Sequence, residues 1–184
     1  MIQLLSYGLT CHPASASEAI DRIEVRIERP ATSTLVIAYT LMGRIADIVL
    51  PAPVAATRCN ELWKTTCFEA FFRSANATAY TEHNFAPSTA WAAYAFDAYR
   101  LGMRDLVTAA PFMEREASSN GFTLSVSLPI DPRFASTTVM MGLSAVVEAR
   151  DGTKSYWALA HPPGAPDFHH ADCFAAELAS SRSA

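Results

Sequence analysis

Two runs, TCFEAFFR (66–73) and TAYTEHNFA (78–86), decide how this chain folds. Side chains alternate along an extended strand, so the first run splits into Cys67, Glu69, Phe71 and Arg73 against Phe68, Ala70 and Phe72. The second splits into Tyr80, Glu82 and Asn84 against Thr81, His83 and Phe85. A loop of two or four residues centred on Ala75-Asn76 joins them as a hairpin in which Glu69 faces Glu82, Cys67 faces Asn84 and Phe71 faces Tyr80. The face carrying Phe68, Phe72 and Phe85 is the obvious core. On the other face two glutamates would sit directly across a ladder, with Cβ atoms about 5 Å apart. Such a pair persists when it is solvated, when a cation or arginine lies between, or when the two share a proton. Arg73, Arg100 and Arg104 are the arginines placed to bridge it.

The same period of two runs outward from this hairpin. DRIEVRIER sets Ile23, Val25 and Ile27 against charged neighbours, the pattern of a half-buried strand. STLVIAYTL (33–41) and RIADIVL (44–50) flank Met42-Gly43 and predict a tight hairpin there. WAAYAFD (91–97), FTLSVSL (122–128), TVMMGLSAVVEA (138–149), SYWALA (155–160) and CFAAEL (173–178) read as further strands, with a turn at Ala86-Pro87-Ser88. ASASEAI offers at most one helical turn. About ten short strands separated by turn residues predict an all-β protein, an antiparallel sandwich of immunoglobulin-like or jelly-roll type. Proline-rich joints at 50–53, 128–132 and 161–166 punctuate the chain without dividing it, so one domain is expected over 1–184. A polar tail is expected from about 179, and PASASEA near the start is a second candidate tail.

Composition narrows the function classes. Hydrophobic residues make up 51% of the 184 and charged residues 17%, a globular balance. A net charge of −4 without a basic stripe argues against nucleic acid and anionic lipid as partners. No window of about 18 apolar residues exists to span a bilayer. MIQLLSYGLT has no basic residue ahead of a short, interrupted apolar run, unlike a signal peptide, so a cytoplasmic location is expected. The four cysteines (11, 59, 67 and 173) form no CxxC pair and are expected as free thiols rather than zinc ligands.

On the Glu69/Glu82 face two readings stay open. One is a solvated polar face tied by arginine. The other is a ligand-facing sheet, in which carboxylates and an amide bond to hydroxyls while Trp63, Trp91 or Tyr94 stacks on an apolar ring face, the usual make-up of a small-molecule pocket. The candidate ligand-binding residues are therefore Trp63, Glu69, Glu82, Asn84, Trp91, Tyr94 and Arg100.

LWKTTCFEAFF followed by YTEHNFAPSTAWAAYAFDAYRLGMR resembles the DOMON-like proteins of bacteria, a group related to family 9 carbohydrate-binding modules. The residues that carry it are Leu62, Trp63, Thr66, Cys67, Glu69 and Phe71, then Tyr80, Glu82, Asn84, Phe85, Pro87, Ser88, Trp91, Tyr94, Phe96, Asp97, Tyr99 and Arg100. ALAHPPGAPDFHHADCF adds His161, Pro162, Asp167, Phe168, His169 and Phe174. The resemblance implies a β-sandwich and a sugar- or haem-binding role; in sugar-binding relatives aromatics clamp the sugar and calcium braces loops. A haem alternative would pair His161 with Met113, Met140 or Met141, without a CxxCH attachment site.

Three further readings are weaker. In DFHHADC the histidines His169 and His170 point to opposite sides of an extended chain, which favours a loop entering the last strand over a metal site with Asp172 or Cys173. Glu69 and Glu82 would suit a retaining glycosidase only if one were neutral and the other ionised. An interaction module docking a protein through edge strands needs no small ligand. The expectation is a non-enzymatic module that binds a small polar ligand, a carbohydrate above all, with no catalytic or metal residues, cofactor and oligomeric state left open.

Overall fold

A computed structural model describes residues 3–31, 33–131, 134 and 137–180. Among them, twelve strands form one continuous antiparallel system that folds over itself as a sandwich. They are β1 (Gln3–Cys11), β2 (Ile20–Ala31), β3 (Thr34–Gly43), β4 (Cys67–Ser74), β5 (Tyr80–Phe85) and β6 (Trp91–Phe96). The rest are β7 (Arg104–Asp105), β8 (Phe112–Ala117), β9 (Gly121–Pro129), β10 (Val139–Glu148), β11 (Lys154–Ala158) and β12 (Ala176–Leu178). The order is β7-β6-β5-β4-β10-β11-β1-β2-β3-β9-β8, with β12 pairing β10 beside β11. Strand β1 joins the two layers. Gln3 to Leu9 pair with β2, and Thr10-Cys11 then pair with β11.

The core lies between the layers. Ile23, Val25 and Ile27 of β2, Leu35, Ile37 and Leu41 of β3, and Phe122, Leu124 and Val126 of β9 meet Phe68, Ala70 and Phe72 of β4, Phe85 of β5 and Leu143 of β10. Tyr39 crosses this core, stacks on Phe68 with centroids 5.0 Å apart and donates its hydroxyl hydrogen to the Glu69 carbonyl at 2.7 Å. A buried tyrosine hydroxyl with a partner avoids the cost of an orphaned polar group.

Several sequence expectations are corrected. The hairpin at Met42-Gly43 does not form. β3 runs through Gly43, and β2 and β3 themselves make the hairpin, closed where Ala31 pairs with Thr34. At Gly43 (φ 148°) a Cβ would collide with the Ala19 carbonyl, so the chain there is a close crossing, and 45–47 is a 3-10 turn instead of a strand. The β4–β5 pairing is slipped by two residues. Glu69 faces Asn84, Phe71 faces Glu82 and Arg73 faces Tyr80. A slip of two keeps every side chain on its expected face, whereas a slip of one would have inverted them. CFAAEL contributes only Ala176–Leu178 as strand, preceded by a 3-10 turn at Ala171–Cys173. PASASEA is the connection from β1 to β2 rather than a tail, with its 3-10 turn at Pro13–Ser15. Residues 181–184 of the predicted tail lie outside the described residues. Strands β1, β7 and β8 were not among the predicted ones.

Candidate functional site

On the outer face of β4, β5, β6, β10 and β11 lies a second cluster, made of Phe71, Tyr80, Ala92, Tyr94, Phe96, Val146 and Ala158. The segment after β11 folds back over this face. Gly142 permits the approach, because a Cβ there would lie 3.2 Å from the Cys173 carbonyl oxygen. Phe168 and Phe174 of that segment pack onto the cluster. The solvated reading of this face is thereby overturned: Glu69 is 3% exposed and Glu82 is 5% exposed.

The cover leaves a cleft of about 380 Å³ lined by Trp63, Glu69, Glu82, Phe96, Arg100, Met103, Val146, Tyr156, Pro166, Phe168 and His169. Glu69 and Glu82 sit at its floor. Ser144 donates its hydroxyl to Glu69 Oε2 at 3.4 Å. Asn84, fully buried, donates Nδ2 to Glu82 Oε1 at 2.7 Å and so orients it from behind. Burial, then the neighbouring Glu82 charge, pushes the Glu69 carboxyl well above the usual range. Burial raises Glu82 to about 7 against the opposing pull of Asn84 and Arg100. Desolvation dominates both shifts, as it does for carboxyls taken out of water.

His169 forms one side of the floor. The Tyr80 oxygen accepts the Arg100 backbone amide at 3.2 Å, which leaves its own hydrogen for His169 Nδ1 at 2.8 Å. That assignment puts the imidazole hydrogen on Nε2, which faces Glu82 Oε2 at 3.7 Å. The gap is too long for a direct hydrogen bond. Burial, then the Arg100 charge, lowers His169 to about 4, so the ring is neutral at pH 7. Phe71 and Phe96 hold it edge-on, each with centroids 5.2 Å away.

The rim is tied by Asp167. It accepts from Arg100 Nη2 at 2.8 Å, from the Tyr99 hydroxyl and from the His169 amide at 3.1 Å. Burial alone would raise Asp167, but the hydrogen bonds from Tyr99 and Arg100 hold it below the ordinary carboxylate range. Arg100 therefore pairs with Asp167, not Asp97, whose partner is Arg104 at 2.7 Å. Two non-glycine residues beside the cleft, Glu61 (φ 62°) and Arg100 (φ 54°), adopt left-handed backbone, which bulky residues do only where surroundings hold them.

Of the seven predicted residues, Trp63, Glu69, Glu82 and Arg100 line the cleft. Asn84 and Tyr94 share that face but lie beneath it. The Tyr94 hydroxyl donates to Asn60 Oδ1 at 2.8 Å, and Trp63 packs edge-on at 6.2 Å. Trp91 is elsewhere. It pairs with Phe85, points into the core between the layers and lies under Arg58, 4.5 Å from the ring centroid. Trp91 and Tyr94 are three apart on one strand, so alternation puts them on opposite faces. His169, Tyr156 and Phe168 were missed. Tyr156 was recoverable, since Trp157 in the core dictates that its neighbour faces outward.

The other constellations fall apart spatially. His170 Nδ1 accepts from the Asp172 amide at 3.3 Å, a local turn, while His169 is drawn inward. Among the described residues no three His, Cys, Asp or Glu side chains converge as metal ligands. His161 bonds through Nε2 to the Thr10 carbonyl at 2.8 Å; Met141 and Met113 belong to the core on the far side of β10, while Met140 packs against the outer cluster. Among the described residues no helix is long and apolar enough to cross a membrane.

No family model and no curated sequence matches this chain. Solved structures share its fold. A "putative carbohydrate-binding protein" from Bacteroides uniformis ATCC 8492 superposes with a TM-score of 0.65 at 11% identity, over 94% of this chain and 84% of its own. A family 9 carbohydrate-binding module from Caldicellulosiruptor kristjanssonii, in complex with cellotriose, superposes with a TM-score of 0.52 at 7% identity, over 82% of this chain and 70% of its own. The chain thus has the β-sandwich fold of those carbohydrate-binding proteins.

Proposed function

We propose that this chain is a non-enzymatic module that binds a carbohydrate in the cleft between Trp63 and Tyr156. The observation that carries the reading is the pair of buried carboxyls at the floor of an aromatic-walled cleft. Sugars present hydroxyls that both donate and accept, together with apolar C–H faces. A protonated Glu69 donates, Glu82 and the His169 ring supply an acceptor and a donor, and Trp63 offers a half-buried ring for stacking. A few fixed polar groups among aromatic walls is the general build of such pockets. The shared fold with carbohydrate-binding proteins supports the class of ligand.

A catalytic reading is less well supported. A retaining pair needs one carboxyl held neutral beside one held ionised. Here burial raises both, and at about 7 Glu82 is not held ionised as a nucleophile must be.

The test is thermal stability against a panel of mono- and oligosaccharides, cellotriose included. A ligand that binds only the folded chain raises the midpoint by mass action. The expected result is a shift with one sugar class that is lost in Trp63→Ala and weakened about 10- to 100-fold in Glu82→Gln, the range for a hydrogen bond to a charged group. Equal affinity in both folded variants would move the site elsewhere.

A further inference from the structure

A second cavity lies on the opposite face of β5, between the layers of the sandwich. It measures about 320 Å³, and its walls include Leu35, Phe72, Leu106, Leu128, Ile130 and Val139. Two polar side chains of β5, Thr81 and His83, reach into these apolar walls. Thr81 is 4% exposed, and its hydroxyl oxygen is buried with no hydrogen-bond partner. A buried hydroxyl without a protein partner is uncommon in folded proteins, and one that lines a cavity is free to bond to what enters it. Neither nitrogen of His83 makes a hydrogen bond with a described residue, while its ring packs edge-on to Phe72 at 5.4 Å. Burial, then the Arg58 charge, lowers His83 to about 4, so it offers one neutral donor and one acceptor.

The mouth is formed by the segment after β7. Leu106 is anchored there, its amide donating to the Ala93 carbonyl at 2.9 Å and its carbonyl accepting from Arg58 Nη2 at 2.6 Å. The next residue, Val107, is 99% exposed, a large apolar side chain held in water beside the opening. An anchored rim, an apolar interior and paired unused polar atoms are the elements of a ligand site.

We infer that this cavity is a second binding site, for an uncharged, mainly apolar small molecule carrying one hydroxyl or carbonyl that pairs with Thr81 and His83. His83 is neutral and most of the other lining side chains are apolar, so the site asks for an uncharged ligand. The volume is roughly twice that of the ~150 Å³ apolar cavity type that holds benzene, which fits a bicyclic aromatic alcohol or a medium-chain alcohol. Among the described residues this site shares no lining residue with the carbohydrate cleft, and it does not depend on that proposal.

The experiment is an amide NMR titration of the full chain with 2-naphthol, with naphthalene as the probe lacking the hydroxyl. The expected result is saturable perturbation at Thr81, His83 and Leu106, unaffected by cellotriose. Thr81→Val keeps the side chain's shape and removes an unsatisfied hydroxyl, so it folds; it should weaken 2-naphthol roughly 5- to 10-fold, as for one neutral hydrogen bond, and leave naphthalene unchanged. Leu128→Phe fills the cavity and should abolish both. Absence of saturable binding by the native chain, perturbations centred on Glu82 and Tyr156, or equal 2-naphthol affinity in Thr81→Val would each overturn the inference.

Discussion

The two faces of the β4–β5 hairpin are built from interleaved residues, and nearly all are buried, yet they obey different rules. The inward face stacks Phe68 against Tyr39 and Phe122 and carries no ionised group. The outward face buries two carboxyls, an amide and an imidazole beneath a returning loop. Inward burial stabilises the fold by removing apolar surface from water. Outward burial does the reverse for Glu69 and Glu82, whose charged forms are desolvated without a direct cation on either. A face that costs stability and still keeps its carboxyls is the one to associate with a ligand rich in hydroxyls, whereas the inward cavity has only Thr81 and His83 to offer an apolar one.

The largest expected effect comes from the inward face. Phe68→Ala should destabilise by about 3–5 kcal/mol, the range for a buried aromatic truncated to alanine. Sugar affinity per folded molecule should be unchanged, read by denaturant unfolding alongside calorimetry. A loss of affinity in the folded fraction would show that the two faces are coupled.

The outward face should announce itself through pH. Glu82 has a folded pKa of about 7 against an ordinary 4.5, so the folded chain holds the extra proton between those values. Its contribution to stability is fully present below pH 4.5 and is lost as pH rises through 7. His83 and His169, lowered to about 4 from 6.5, act the other way and destabilise as pH falls through that interval. Between 4.5 and 6.5 the raised carboxyls of Glu69 and Glu82 oppose the two lowered histidines, so the stability curve should be nearly flat there and fall above. In Glu82→Gln the fall should shrink, leaving the variant more stable than the native chain at pH 8 by on the order of 3 kcal/mol. A constant difference across the range would place Glu82 in water.

Tyr80→Phe removes the hydroxyl that links the Arg100 amide to His169. The expected cost is about 1–2 kcal/mol for two partners left unpaired, with a several-fold drop in sugar affinity from a loosened imidazole. Asp167→Asn should matter least. Its Arg100 partner is 52% exposed on the side chain, so the pair is worth under about 1 kcal/mol and its effect should fade with added salt.

Period-two alternation made the strands and their faces legible, including which residues accompany Glu69 and Glu82. It survived an error in loop length, because a slip of two leaves faces intact. The direct Glu69–Glu82 pairing did not survive, since the register depends on the loop closing β4 to β5 and not on the pattern within either strand. Trp91 was misassigned because its residue type was weighed above its position in the alternation. RIADIVL reads as a strand from its β-branched residues, but the crossing of Gly43 against Ala19 turns the chain away. His169 and Phe168 belong to a cover whose position comes from packing onto Phe71 and Phe96, contacts far apart in sequence. No local pattern encodes that, and it is what turns an apparently solvated face into a cleft.

The three tryptophans are reporters placed by the fold: Trp63 in the cleft, Trp91 and Trp157 in the core. The most direct measurement follows their indole N–H resonances through a titration with cellotriose and the sugar selected by the stability panel, up to about 10 mM, the weak end of measurable affinity. The account predicts a saturable shift at Trp63, with Trp91 and Trp157 still. Saturation seen at Trp91 or Trp157 with Trp63 unmoved, or no response from any indole to any sugar, would contradict it.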